Sequence, residues 1–132
     1  MDIQIIPIRG SGNLRFLEAE RDFPFQIKRM YYTHSENAGM HRGFHAHKTL
    51  KQVLICLYGR IKIMLDDGTE KAELVLDDPA KGLLLNGELI WREIIWLEDN
   101  SVLCVLASDY YDESDYIRDY DEFLAHLSRR KA

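Results

Sequence analysis

Val53-Leu54-Ile55-Cys56-Leu57-Tyr58-Gly59-Arg60-Ile61-Lys62-Ile63-Met64-Leu65-Asp66-Asp67-Gly68 is the stretch that decides the fold class. Residues 53–57 are apolar without a break, as in a strand covered on both faces. Tyr58-Gly59 turns the chain. Residues 60–65 then alternate polar and apolar, the pattern of a strand with one face inward. Asp67-Gly68 is a strong hairpin signal. On the return, Ala72, Leu74 and Leu76 alternate with Lys71, Glu73 and Asp77.

The same grammar extends both ways. Downstream, Asp78-Pro79-Ala80-Lys81-Gly82 turns, and residues 83–85, 89–97 and 102–107 supply three more strands. Asn86-Gly87 and Asp99-Asn100 separate them. Upstream, residues 44–57 read as extended, residues 25–32 as a strand, residues 35–39 as a break, and Gly10-Ser11-Gly12-Asn13 as a loop. Only the C-terminus has helical spacing, in Tyr116, Tyr120, Phe123, Leu124 and Leu127. Asp112, Glu113 and Asp115 fall near its start and Arg129, Arg130 and Lys131 near its end, as the helix dipole favours. The expectation is one all-β domain over residues 1–132, an antiparallel sandwich or jelly roll closed by a short C-terminal helix.

A chain of 132 residues, 46% hydrophobic and 30% charged, suits one domain with its own core. No apolar run is long enough for a membrane span, and no basic, apolar leader opens the chain. A net charge of −5 argues against nucleic acid as a partner. Cys56 and Cys104 lie in apolar runs and read as buried thiols of a reducing, cytoplasmic compartment, with a disulfide as the other reading.

Gly43-Phe44-His45-Ala46-His47, followed by Gln52 and Gly59, carries the chemistry. Two histidines at alternate strand positions share one face, and imidazole is the side chain suited to moving protons near neutral pH. Arg92 stands between Trp91 and Glu93 in an otherwise apolar run, where a guanidinium facing the histidines would clamp an anion or a carbonyl. Glu93, by alternation, faces the other way toward solvent. The pattern matches the first metal-binding motif of the cupins. Here Gln52 stands at the carboxylate position and Arg92 where a later histidine is expected. An amide is a poor ligand and a guanidinium is none, so proton transfer is the better reading and no metal is expected.

Four segments together resemble the sugar 3,4-ketoisomerases, small cupins akin to the C-terminal domain of WxcM-like proteins. They are Arg42-Gly43-Phe44-His45-Ala46-His47-Lys48, Gln52-Val53-Leu54-Ile55-Cys56-Leu57, Leu65-Asp66-Asp67-Gly68 and Val105-Leu106-Ala107-Ser108-Asp109-Tyr110-Tyr111-Asp112-Glu113-Ser114-Asp115-Tyr116-Ile117-Arg118. The resemblance spans residues 25–123. It implies a cupin/RmlC-like jelly roll that dimerises by exchanging N-terminal strands. It implies conversion of a dTDP-linked 4-keto-6-deoxyhexose to its 3-keto isomer through an enediol, without metal or organic cofactor. The product would pass to a PLP-dependent aminotransferase making a 3-amino-3,6-dideoxyhexose for surface polysaccharide such as O-antigen.

By the same resemblance His47 is the base and proton shuttle, with His45 as its relay. Arg42 and Lys48 meet the diphosphate or order the mouth, and Tyr31 and Tyr32 supply a phenol or stack on thymine. Arg92 implies a gluco-configured product. Ser11 stands where the family has arginine or tyrosine, which shortens a pocket side chain. A 3,5-epimerase-like cupin is the alternative enzyme, although that family pairs its histidine with an acid. A non-catalytic sugar-nucleotide-binding cupin is the alternative outside enzymes.

Overall fold

The computed structural model describes residues 1–131; Ala132 lies outside them. Twelve strands form among the described residues: β1 (Ile3–Pro7), β2 (Arg9–Ser11), β3 (Leu14–Phe16), β4 (Arg29–Thr33), β5 (His41–His47), β6 (Gln52–Tyr58), β7 (Ile61–Asp66), β8 (Lys71–Leu76), β9 (Lys81–Leu85), β10 (Trp91–Trp96), β11 (Val102–Ala107) and β12 (Tyr116–Ile117). One helix, α1 (Tyr120–Lys131), follows. Among the described residues no helix is long and apolar enough to cross a membrane.

Two five-stranded sheets, β1-β9-β6-β11-β4 and β12-β5-β10-β7-β8, stack as an antiparallel sandwich. Period-two alternation sends Leu54 and Cys56, Ile61, Ile63 and Leu65, Ile94 and Trp96, and Leu103 and Val105 into the space between them. The outer face of the first sheet is covered by residues 17–25, where Phe23 and Phe25 pack on Val53, Ile55 and Leu84. Helix α1 covers part of the other outer face through Phe123, against Ala46, Trp91 and Ile117.

Glycine is required where the backbone turns left-handed against a neighbour. Gly59 has φ +84°, and a Cβ there would stand 2.1 Å from Ser101 Oγ. Gly43 has φ +91°, and its Cβ would meet the Arg92 carbonyl oxygen at 2.9 Å.

Three expected boundaries move. The strand expected over residues 25–32 begins at Arg29, because Phe23 and Phe25 turn inward and stack at 4.7 Å. The extended run 44–57 is two strands. Asp115 breaks it by accepting from the Lys48 and Thr49 amides at 3.0 and 2.9 Å. Tyr116 belongs to β12, and α1 starts at Tyr120, with Asp119 accepting from the Glu122 amide at 3.1 Å as its cap. Cys56 and Cys104 are free thiols. Their strands are adjacent, but Cys56 faces the inter-sheet core while Cys104 packs under the outer cluster. Strand β1 pairs with β9 of the same chain, Ile3 opposite Leu85.

Candidate active site

At one end of the sandwich the inter-sheet space stops being apolar. Strands β4, β5 and β10 open a cavity of about 590 Å3 lined by Arg29, Tyr31, Arg42, His45, Tyr116 and Arg118, among others. Alternation along β4 directs Arg29, Tyr31 and Thr33 inward, so Met30 and Tyr32 must face outward. Tyr32 therefore does not line the cavity beside Tyr31, contrary to the expectation that both serve it.

A β-bulge shapes the opposite wall. Along β5, His45 pairs with Arg92 and Arg42 with Ile94, so one extra residue sits between them. Gly43 and Phe44, both at positive φ, absorb it. Plain alternation would put Arg42 on the face away from His45; the bulge brings both to the cavity. Arg42 pairs with Glu36 there. Lys48, in the exposed turn after β5, lines a separate surface cleft with Asp112 and Asp115. Ser11, at the exposed tip of the β2–β3 hairpin, does not line the histidine cavity either.

His45 and His47 lie perpendicular, ring centroids 4.9 Å apart, with Tyr116 4.4 Å from His47. His45 lines the cavity and its Nδ1 donates to the Gly43 carbonyl at 3.1 Å. His47 is 1% exposed, set behind His45 and Tyr116. Its Nδ1 is 2.9 Å from Asp115 Oδ2. Asp115 Oδ1 accepts from the Thr49 amide and hydroxyl at 2.9 and 3.1 Å. Both rings thus carry their proton on Nδ1 and keep Nε2 as a lone pair. His47 Nε2 is buried with no partner. Burial, then the Arg92 guanidinium, pushes His45 down to about 4. The same two causes hold His47 well below the usual histidine range, while the Asp115 carboxylate on Nδ1 acts against them. Both imidazoles are neutral bases at pH 7.

Arg92 is 2% exposed, and no carboxylate pairs with it among the described residues. It donates to Gln52 Oε1 and, at 2.9 Å, to the Ile90 carbonyl, and its Nε has no partner. Burial lowers its pKa to about 10, which leaves it cationic at pH 7. Glu93, on the outer face, accepts from Trp91 Nε1 at 3.2 Å and faces His41 at 3.6 Å, so it is engaged rather than free in solvent. Among the described residues no three His, Cys, Asp or Glu side chains are spaced to hold a metal ion.

Residue-by-residue reading missed Arg29, Asp115, Tyr116 and Arg118. Arg29 stacks between Tyr31 and Tyr111, 5.3 and 5.5 Å from their centroids, with no carboxylate partner among the described residues. Arg118 lies 4.3 Å over Tyr116 and pairs with Glu113 at 2.6 Å. Period two along β4 carried a signal for Arg29. Nothing local signalled Asp115, which is 68 positions from His47. The absence of an acidic partner, used in the sequence to set the epimerase reading aside, does not hold.

A family profile described as FdtA, WxcM-like, C-terminal, matches residues 1–128. The chain is 47% identical over 122 residues, 92% of its length and 87% of the relative's, to a TDP-4-oxo-6-deoxy-alpha-D-glucose-3,4-oxoisomerase of Aneurinibacillus thermoaerophilus. It is 41% identical to QdtA, a sugar 3,4-ketoisomerase from Thermoanaerobacterium thermosaccharolyticum solved in complex with TDP. That match has TM-score 0.92 and covers 98% of this chain and 96% of that one. It is also 41% identical to WlaRB, a TDP-quinovose 3,4-ketoisomerase from Campylobacter jejuni, at TM-score 0.89, over 94% and 98% of the two chains. The shared fold is the cupin/RmlC-like jelly roll.

Proposed function

The chain belongs to the FdtA family, WxcM-like, C-terminal, and from that membership we propose that it is a 3,4-ketoisomerase of a TDP-linked 4-keto-6-deoxyhexose. The observation that carries the chemistry is the pair of Nε2 lone pairs on His45 and His47 beside the buried Arg92 cation. The proton on sugar carbon 3 is acidic because it lies beside the carbon 4 carbonyl. His47 removes it, with His45 as relay, and an enediol forms. The proton then returns to carbon 4, while the hydroxyl proton on oxygen 3 passes by way of the cavity-facing His45 Nε2 to oxygen 4, which leaves carbon 3 as the new carbonyl. Arg92 sits where its field opposes the charge growing on the oxygens. At the mouth, Arg29, Arg42 and Arg118 suit a diphosphate, and Tyr111 and Tyr116 offer rings for a base to stack on.

The test is incubation with TDP-4-keto-6-deoxyglucose in deuterated water, followed by NMR. Deuterium at carbon 4 with a new 3-keto signal is the expected result. Binding without exchange would instead indicate a sugar-nucleotide-binding module. The Asp115–His47 pair also suits a 3,5-epimerase, and exchange at carbon 5 would identify one. The gluco configuration that Arg92 implies predicts a large H4–H5 coupling in product formed in ordinary water, as for trans-diaxial protons. Strand exchange between two copies belongs to the same reading, and the solution mass tests the dimer.

A further inference from the structure

Gln52, 2% exposed, does not line the cavity itself but lies behind Tyr31, between that residue and Arg92. The orientation of its amide follows from its neighbours. A guanidinium has only donors, so the oxygen, Oε1, must face Arg92. The amide nitrogen is then left for Tyr31, and Nε2 donates to the phenolic oxygen at 3.2 Å. With that oxygen accepting, the Tyr31 proton must point elsewhere. Tyr31 lines the same cavity as His45, and burial raises its pKa, so the phenol keeps its proton. The chain from cation to amide to phenol is aligned, each bond polarising the next.

We propose that Gln52 is a positioning residue that turns the Tyr31 O–H into a fixed hydrogen-bond donor to the substrate carbonyl oxygen. Arg92 thereby reaches the reacting oxygen through the amide and the phenol. No proton leaves Tyr31. Its O–H strengthens its bond as negative charge grows on the enediolate oxygen and relaxes when the 3-keto product forms. A glutamate at position 52 would keep the shape and still bind Arg92. A carboxylate only accepts, however, so it would draw the Tyr31 proton to itself and away from the cavity.

This inference rests on the ketoisomerase reading. The experiment measures kcat and KM of the wild type, Tyr31→Phe, Gln52→Glu and the double variant on TDP-4-keto-6-deoxyglucose, with thermal unfolding of each. Tyr31→Phe and Gln52→Glu are each expected to lower kcat by about a hundredfold, with KM little changed. Gln52→Glu should melt no lower than the wild type, and the double variant should be no slower than the worse single variant. A Gln52→Glu enzyme with wild-type kcat would overturn the inference, as would losses that multiply in the double variant. An inactive wild type would overturn the ketoisomerase reading and this inference with it.

Discussion

His47 and Asp115, 68 positions apart, share one proton at 2.9 Å, and the direction of that bond sets which histidine nitrogen can act as a base. Thr49 claims Asp115 Oδ1 with two donors, so Oδ2 is the oxygen left for Nδ1. Strand β12 makes the meeting possible by pairing Tyr116 with His47. The arrangement is that of an oriented general base.

His47→Asn removes the base and is expected to lower kcat by about a hundred- to ten-thousandfold while the chain still folds. Turnover near wild type in the folded variant would remove His47 from the role.

Asp115→Asn tests orientation rather than the base. Thr49 would claim the amide oxygen and leave the amide nitrogen facing Nδ1. That nitrogen donates, so His47 would move its proton to Nε2 and lose its lone pair there. A loss of at least about tenfold in kcat is expected, with the Nε2–H tautomer visible by nitrogen NMR. An unchanged tautomer would refute the account.

Stability should fall as the solution is acidified. His45 titrates near 4 when folded, against about 6.5 when unfolded. Between those values the unfolded chain binds a proton that the folded chain refuses. This contribution is fully present above pH 6.5 and declines as pH falls toward 4, by up to about 1.4 kcal/mol per pH unit. Urea midpoints from pH 7.5 to 4.5 check it, and His45→Gln should reduce the slope to the part that His47, also lowered, contributes. The acid limb of kcat should likewise lie below the range of a free histidine.

Arg92 is a buried cation without a carboxylate partner among the described residues, an arrangement that favours function over stability. Replacing it together with its amide partner, Arg92→Met with Gln52→Leu, removes the buried charge, and only the Ile90 carbonyl and the Tyr31 hydroxyl lose a donor. The double variant is expected to melt at or above the wild-type temperature and to lose at least about a hundredfold in kcat. A large drop in melting temperature would show that the pair is structural.

Gly43→Ala probes the bulge. The new Cβ would meet the Arg92 carbonyl at 2.9 Å at a φ of +91°. A loss of about 1–3 kcal/mol is expected, with KM raised because Arg42 and His45 no longer share a wall. Calorimetry and substrate titration measure the two effects separately.

Much of the architecture was legible because alternation is local. Residues 61–66 and 71–76 alternate in the sequence and form strands β7 and β8, while the all-apolar run 102–107 forms β11. The same rule puts Tyr31 inward and Tyr32 outward, and so corrects the expectation that both serve the cavity. It fails at Gly43-Phe44, where a bulge resets the phase and brings Arg42 round to the His45 side.

By itself the sequence determined the sandwich and the imidazole pair on one strand face. These depend on side-chain identity and a two-residue period. Only the tertiary structure decided which groups meet. Asp115 reaches His47 because β12 adds to the sheet edge, and Gln52 bridges Arg92 and Tyr31 because two sheets face each other. Lys48 and Ser11 fall outside the cavity because their turns lead away from it. Such contacts join residues dozens of positions apart, where no local period carries information, and they set the direction of each hydrogen bond in the site.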